Sequence, residues 1–290
     1  MTKDTGLQIN PKIKRLVCSA SGQEVETAGF RRPIGLCSCC PPPGKPVVVE
    51  YDLDQVELGE PAREKGIWSF SELLPVVGPA PSFASDVGLT AIVELEPWSR
   101  EAGITVLAKN EGTNPSGSFK DRGLAVGVAF GTACGAQRFC LPTQGNAGVA
   151  ASLFSARLGL PGCLVYMPEG YEDGLYHREA RYFGAEVRFH GANIAAAGKK
   201  MREDAAAELA SGAYVDMSTF FEPGRLEGKK TMGLEIFQQC GADGLPDWIL
   251  YPTGGGTGLV GIWKAFEELI GVGKIDPARH RLPRMVAVQG

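Results

Sequence analysis

The feature that most constrains the fold is an alternation of short β-rich runs with helix-length segments, from Ile104 onward. The β-rich runs are ITVLAKN, RFCLP, CLVYMP, EVRFHG, AYVDMS, WILYPTG and MVAVQG, and separators such as NAGVAASLFSARLGL have helical periodicity. This alternation is typical of α/β proteins with parallel strands. Ligands of such sheets bind beyond the carboxyl ends of the strands. We therefore expect the functional residues in loops that lead from a strand into a helix.

The composition argues against several classes of function. The chain has 290 residues, of which 44% are hydrophobic and 21% charged, as in a globular protein of one or two domains. Its net charge of −4 provides no basic field, so we expect no nucleic-acid partner. We find neither a signal-peptide core nor an apolar stretch of membrane-spanning length, so we expect no membrane association and a cytoplasmic location. Eight cysteines in such a chain predict buried thiols or metal ligands rather than disulfides.

The first candidate loop is GTNPSGSFKDRG, which runs from Gly112 to Gly123. Its residues before Ser118 are turn formers, and Ser118 is a good helix cap, so Lys120 is predicted in the first turn of a helix. A helix N-terminus favours anions, so a lysine there gains nothing from the helix dipole. Lys120 is therefore either a solvated side chain or a residue with a chemical task.

The second candidate loop leads from WILYP into a helix and is rich in glycine. Its backbone N–H groups can converge on an anion such as a phosphate. It lacks the Lys-Ser/Thr pair of a nucleotide-binding P-loop and does not match GxGxxG. A simple tight turn is the alternative. The residues concerned are Gly254, Gly255, Gly256, Thr257 and Gly258.

The third candidate loop, after RFCLP, contains Thr143, Gln144, Gly145 and Asn146 at the start of another helix. Its backbone donors and the Asn146 amide could bind a carboxylate, although Asn146 could also be a simple helix cap. Together the three loops indicate a phosphate-bearing cofactor that reacts with a lysine. Pyridoxal phosphate fits, because its aldehyde could form a Schiff base with Lys120 while the glycine-rich loop binds its phosphate.

Four segments carry a resemblance to a known family. NEGTNPSGSFKDRG, TQGNAGVAAS, PTGGGTGLVG and RLEGKKTMGLEI resemble, in order and spacing, motifs of threonine synthases within the tryptophan-synthase-β-like group (fold type II) of pyridoxal-phosphate enzymes. The resemblance covers about residues 60 to 290. It implies two open α/β domains with mainly parallel sheets and the cofactor between them.

The resemblance also implies roles for individual residues. Lys120 would be the Schiff-base lysine and catalytic base, and Asn146 would bind the 3-oxygen of the cofactor. Gly254, Gly255, Gly256, Thr257 and Gly258 would bind the cofactor phosphate. The substrate would be bound by Ser118, Thr143, Gln144, Gly145, Asn146 and Arg225.

The implied activity is that of a lyase in amino-acid biosynthesis. A threonine synthase converts O-phosphohomoserine and water to threonine and phosphate. The sequence departs from the family near Tyr176, where a phosphate-binding lysine is usual, and at Thr219 and Phe220, where an Asn-Ser pair is usual. Arg225 is retained, and His177 or Arg178 could compensate. An ammonia-lyase or β-replacement enzyme for serine, threonine, diaminopropionate or a phosphoserine-like substrate is therefore the alternative, followed by a non-catalytic binding paralogue.

Residues 1–60 are predicted to form a ribbon-like segment that includes Cys18, Cys37 and Cys40 as candidate ligands of a structural zinc. Ser21 stands where a zinc ribbon has its second cysteine, and Cys39 is an awkward substitute. A small apolar turn without metal is the alternative.

Residues 61–112 plus 219–290 are predicted to form a large domain, and 113–218 a small domain that carries Lys120. By the resemblance, the partner of the pyridine nitrogen lies beyond residue 290. The expected substrate is a small amino acid, and a homodimer is one candidate assembly.

The remaining histidines, lysines and cysteines are predicted to have structural or surface positions without a chemical role. His190 and His280 are predicted at the surface. Lys229 and Lys230 are compatible with a solvated helix face and receive no role. Core thiols are predicted at Cys134, Cys140, Cys163 and Cys240.

Overall fold

The computed structural model describes residues 6–77 and 84–289. Strands occupy β1 (Gln8–Ile9), β2 (Ile13–Cys18), β3 (Val47–Tyr51), β4 (Val76–Val77), β5 (Ile92–Glu94), β6 (Leu107–Lys109), β7 (Arg138–Pro142), β8 (Leu164–Met167), β9 (Glu186–Phe189), β10 (Tyr214–Asp216), β11 (Trp248–Pro252) and β12 (Arg284–Val288). The α-helices are α1 (Glu96–Ala102), α2 (Lys120–Ala133), α3 (Asn146–Arg157), α4 (Tyr176–Tyr182), α5 (Ile194–Asp204), α6 (Ala206–Ser211), α7 (Gly224–Cys240) and α8 (Thr257–Gly271).

The largest sheet has four parallel strands in the order β10-β7-β8-β9. Its strands coincide with four of the predicted β-rich runs, and helices α3, α4 and α5 lie between them in the chain. Phe139, Leu141 and Val165 on these strands are completely buried. The predicted α/β class with parallel strands is therefore confirmed, because continuous apolar strands of this kind require cover on both faces.

A second parallel pair is formed by β11 and β12, which α8 connects. The other pairs among the described residues, β1 with β4, β2 with β3 and β5 with β6, are antiparallel. The β2–β3 pair belongs to the same hydrophobic cluster as α8, through residues such as Val49 and Phe266. The predicted division into domains stays a prediction.

Helix α7 lies against both α2 and α8, and glycines allow the close approach. A β-carbon at Gly228 would lie 2.0 Å from the carbonyl oxygen of Arg122 on α2. A β-carbon at Gly233 would lie 2.6 Å from Cβ of Ala265 on α8. Because real side chains do not tolerate such distances, these positions require glycine. The central position of α7 determines where its charged residues lie.

The interpretation of Lys229 and Lys230 as a solvated face is wrong. Both side chains lie within α7 at 0% exposure, because α2 and α8 cover the faces on which they lie. Lys230 Nζ lies 2.6 Å from Glu227 Oε2 and 2.8 Å from Glu268 Oε2. Lys264 Nζ lies 3.0 Å from Glu227 Oε1, which completes a buried cluster of two lysines and two glutamates.

The other predicted core and surface residues mostly lie as expected. Cys134, Cys140 and Cys163 are buried thiols, whereas Cys240 at the end of α7 is partly exposed. His190 is exposed. His280 is half-buried in a surface turn, where its Nδ1 accepts a hydrogen bond from the Asp276 N–H. Within residues 6–77 and 84–289, no helix combines the length and the apolar content that crossing a membrane requires.

Candidate active site

Lys120 is the first residue of α2, as the turn-rich loop before it predicts. Its backbone N–H donates to Ser118 Oγ at 3.2 Å, so Ser118 helps to begin the helix. The Lys120 Nζ lies 3.5 Å from the centroid of the Phe119 ring. Burial lowers the pKa of Lys120 to about 8, and the nearby Arg225 cation adds to this effect. At neutral pH roughly a tenth of Lys120 is therefore a neutral, nucleophilic amine.

A second amine lies over the same ring. Lys229 Nζ is 3.9 Å from the Phe119 centroid and has no hydrogen-bond partner within the described part of the chain. Burial lowers the pKa of Lys229 well below its usual value, and the Lys120 and Arg225 cations add to this effect. Sequence reasoning missed Lys229. The four-residue spacing from Arg225, which puts both on one helix face, is the signal that could have found it.

Arg225 adds a third cationic group to this site and is also buried. Its Nη1 donates to the carbonyl oxygen of Met217, whereas its Nε has no partner among the described residues. Glu222 Oε1 accepts the Arg225 backbone N–H at 2.9 Å. Burial raises the pKa of Glu222 to about 7 even though the Arg225 cation opposes the rise. Three basic side chains, Lys120, Lys229 and Arg225, therefore lie close together here, and an anion bound beside them would favour their charged forms.

The glycine-rich loop connects β11 to α8, and Thr257 is the first residue of that helix. A β-carbon at Gly258 would lie 1.9 Å from Tyr251 Oη, and one at Gly255 would lie 2.3 Å from Thr219 Cγ2. Gly256 has a φ of +83°, which favours glycine. Close packing therefore requires glycine at Gly255 and Gly258, while Gly254 and Gly255 are exposed.

Tyr251 connects the glycine-rich loop with Lys120. Its ring packs edge-on against the Phe119 ring, with centroids 5.7 Å apart. Its buried Oη lacks a hydrogen-bond partner among the described residues. The structure thus brings the start of α2 and the start of α8 together, as predicted for Lys120 and residues 254–258. Sequence reasoning missed Tyr251, because its approach to Gly258 depends on how the chain turns after β11.

The third loop follows β7, next to the strand β10 that leads to Met217 and Arg225. Gly145 N–H donates to Thr143 Oγ1 at 3.0 Å, and Gln144 Nε2 donates to Tyr171 Oη at 3.0 Å. Asn146 is the first residue of α3, and Gly145 holds the cap position. Asn146 is therefore not the N-cap residue of α3.

The three departures from the family pattern lie against these loops. A β-carbon at Gly145 would lie 2.7 Å from Tyr176 Cδ2, so the tyrosine ring packs directly on this glycine. Thr219 contacts Gly255 in the same way. Phe220, with a φ of +63°, lies near Gly256. His177, considered as a compensating residue, is buried with its ring 5.6 Å from that of Phe189.

These residues fit pyridoxal phosphate. A phosphate needs converging donors, and the site offers the exposed Gly254 and Gly255 just before a helix together with Tyr251 Oη, which has no partner among the described residues. An aldehyde needs a neutral amine, which Lys120 provides.

Comparison with known proteins decides the family. Residues 84–290 match the family described as pyridoxal-phosphate dependent enzymes. The chain belongs to this family. The predicted cofactor and the predicted resemblance to fold type II enzymes are therefore confirmed. Roles of individual residues in binding or catalysis stay predictions.

Similar proteins include several threonine synthases. That of Methanocaldococcus jannaschii is 34% identical over 228 residues, which cover 78% of this chain and 54% of the relative. That of Halalkalibacterium halodurans is 33% identical, covering 69% of this chain and 54% of the relative. That of Methanosarcina acetivorans is 30% identical, covering 84% and 57%. The chain thus spans about half the length of these relatives.

Solved structures support the fold. The processed form of threonine deaminase isoform 2 from Solanum lycopersicum superposes with a TM-score of 0.55 at 19% identity, covering 69% of this chain and 53% of that chain. O-ureido-L-serine synthase superposes with a TM-score of 0.57 at 22% identity, covering 71% and 61%. Enzymes named for different activities thus share this fold.

Proposed function

We propose that this chain is part of a pyridoxal-phosphate-dependent lyase that acts as a threonine synthase, converting O-phosphohomoserine and water to threonine and phosphate. The observation that carries the proposal is the group of basic side chains, Lys229 and Arg225, beside Lys120. Lys229 Nζ and Arg225 Nε are buried and without partners among the described residues, so both can stabilise a substrate phosphate. Similarity to threonine synthases supports the same choice.

The proposed chemistry divides the work among the loops. When bound, pyridoxal phosphate supplies an electron sink for the substrate. Residues 254–258 bind its phosphate through backbone N–H groups, and Asn146 binds its ring oxygen. The substrate carboxylate binds to Ser118 and residues 143–146.

Lys120 moves the protons in this proposal. Its pKa of about 8 suits a general base that takes the proton from Cα of the substrate. Arg225 and Lys229 stabilise the departing phosphate, whose charge grows as its bond to the substrate breaks. Without Arg225 and Lys229, the leaving phosphate would be stabilised only by the partial positive charge at a helix N-terminus.

The alternative is an ammonia-lyase or β-replacement enzyme that acts on serine, threonine, diaminopropionate or a phosphoserine-like substrate. The observation that favours it is the position of Tyr176, Thr219 and Phe220, which place bulk against Gly145, Gly255 and Gly256. A smaller substrate needs less room there. The position of Lys120 at the start of α2 argues against a non-catalytic binding protein, since simple binding needs no amine that can form a Schiff base.

The experiment is a substrate comparison with the purified protein after addition of pyridoxal phosphate. O-phosphohomoserine, serine, threonine and diaminopropionate are supplied in parallel, with Lys120→Ala as the control. We expect phosphate and threonine from O-phosphohomoserine. Ammonia and a keto acid from the unphosphorylated substrates, with O-phosphohomoserine inert, would decide for the alternative.

A small amino acid as substrate, a homodimer as assembly and a cytoplasmic location belong to this proposal as well. The basic side chains of Lys229 and Arg225 beside Lys120 favour an amino acid that carries an anionic group. Sedimentation at several protein concentrations would test the homodimer.

A further inference from the structure

Four cysteines meet in the N-terminal segment, far along the chain from Lys120. Their Sγ atoms all lie within 4.8 Å of one another. Cys18 is the last residue of β2, and the other three belong to the loop that precedes β3. The four are Cys18, Cys37, Cys39 and Cys40.

The spacing of the sulfur atoms suits a metal ion. Cys18 Sγ lies 3.4 Å from Cys37 Sγ and 3.6 Å from Cys40 Sγ. Four bonds of about 2.3 Å from a tetrahedral zinc place its sulfur ligands about 3.8 Å apart. A disulfide would need about 2.05 Å. The observed separations therefore match the edge of a zinc–thiolate tetrahedron.

Cys39 occupies the place that the sequence pattern leaves open. Ser21 stands three residues after Cys18, where a zinc ribbon has a cysteine, and its hydroxyl cannot replace a thiolate. Ser21 Oγ lies 3.5 Å from Cys39 Sγ. The sulfur of Cys39 thus lies next to the Ser21 hydroxyl and within 4.8 Å of the other three sulfur atoms, close enough to share one metal ion with them.

The backbone around the cluster is arranged as in a metal-binding turn. Gly22, with a φ of +68°, donates its N–H to the Cys18 carbonyl oxygen at 2.9 Å. The Lys45 N–H donates to Cys37 Sγ at 3.3 Å, which favours a thiolate. Gly44 is required beside it, because a β-carbon there would lie 2.2 Å from the Cys37 carbonyl oxygen.

We propose that Cys18, Cys37, Cys39 and Cys40 bind one zinc ion, and that Cys39 supplies the ligand that Ser21 cannot. Four protein ligands leave no open position, so the metal is structural rather than catalytic. The zinc ion links the loop before β3 to the end of β2. Because β3 packs in the same hydrophobic cluster as α7 and α8, the metal stabilises the attachment of the N-terminal segment.

The test measures zinc in the reduced protein and in matched variants. We expect one zinc ion per chain in the wild type and in the control Cys240→Ser, whose thiol lies outside the cluster. Cys39→Ser should weaken zinc binding by more than the roughly 10- to 100-fold that changes around metal ligands cause. The double variant S21C/C39S should restore it, since the fourth sulfur returns. Zinc binding by Cys39→Ser with wild-type affinity would overturn the role of Cys39.

A measurement on the wild type keeps the proposal testable if Cys39→Ser fails to fold. Cys39 is exposed, so a free thiol there is accessible to iodoacetamide. We expect protection of Cys39 in the presence of zinc and rapid labelling after a chelator removes it. Equal labelling of Cys39 with and without zinc would overturn the proposal.

Discussion

Two adjacent lysines of α7 have opposite surroundings, although both are completely buried. Lys230 lies among Glu227, Glu268 and Lys264, where two lysines face two glutamates. Lys229 lies beside Lys120 and Arg225, and its Nζ has no hydrogen-bond partner in the described part of the chain. Burial alone therefore does not indicate the role of a charged side chain. The charges of the neighbouring side chains distinguish Lys230 from Lys229.

This difference separates a structural group from a binding group. A buried ion cluster whose charges cancel stabilises one arrangement of its helices, and removal of one member leaves a charge uncompensated. A buried amine without a partner costs free energy in the absence of an anion and regains it when an anion binds. The cluster around Lys230 should therefore control stability, and the group around Lys120 should control binding.

The largest expected effect is on Lys120. Lys120→Ala should abolish the Schiff-base absorbance of the bound cofactor, because Lys229, the second amine over the Phe119 ring, is completely buried within α7. The variant should stay folded, since Lys120 is only partly buried. Borohydride reduction and peptide mapping check the site of attachment, with Lys199→Ala as a control because that side chain is 81% exposed. An undiminished Schiff-base signal in Lys120→Ala would contradict the assignment.

The next effect compares the two neighbouring lysines by the same substitution. Lys230→Met should lower the free energy of unfolding by about 3–5 kcal/mol, because Glu227 and Glu268 lose a buried partner. Lys229→Met should leave it equal or raise it by up to about 3 kcal/mol, because an unsatisfied buried amine is removed. Urea titration of both variants without cofactor measures the difference. An equal decrease in the free energy of unfolding for both variants would contradict the described difference between the surroundings of Lys229 and Lys230.

A smaller effect concerns the substrate. Arg225→Ala should raise the KM for O-phosphohomoserine roughly 10- to 100-fold, the loss expected for a charged hydrogen bond. Arg225→Lys should recover part of the loss, and the cofactor absorbance should stay unchanged in both. Steady-state kinetics with phosphate release as the readout checks this. A loss of cofactor absorbance in Arg225→Ala would instead place Arg225 at the cofactor.

The smallest effect is on pH dependence. The rate of Schiff-base formation should rise by about tenfold per pH unit below pH 8 and level off above it, because only the neutral Lys120 amine reacts. Arg225→Met should move the midpoint upward, since the Arg225 cation helps to lower the pKa of Lys120. Lys229 and Glu222 are retained in that variant, so the shift reports the loss of the Arg225 charge together with the response of these two neighbours. Stopped-flow absorbance measurements at a series of pH values around 8 check this prediction. A midpoint that is the same in Arg225→Met and the wild type would argue against a direct electrostatic interaction between Arg225 and Lys120.

The sequence was sufficient for features set by local turn chemistry and periodicity. Turn formers before Lys120 placed it at the start of α2, and apolar alternation located the strands of the parallel sheet. Lys229 was missed because its burial depends on how α2 and α8 pack against α7. Tyr251 was missed for a related reason, since its contact with Gly258 depends on how the chain turns after β11. Cys39 was considered only as an awkward substitute, because its approach to Ser21 depends on how the loop before β3 folds.

The balanced cluster between α7 and α8 has a consequence for evolution. Glu227 and Lys230 lie on one helix and Lys264 and Glu268 on the other, so a neutralising change on either helix leaves an excess charge that water cannot reach. Lineages should therefore replace these residues in compensating pairs, and intermediates with one change should be rare. Lys229 has no such partner within the described residues, so its identity can drift with the chemistry of the ligand that a descendant enzyme selects.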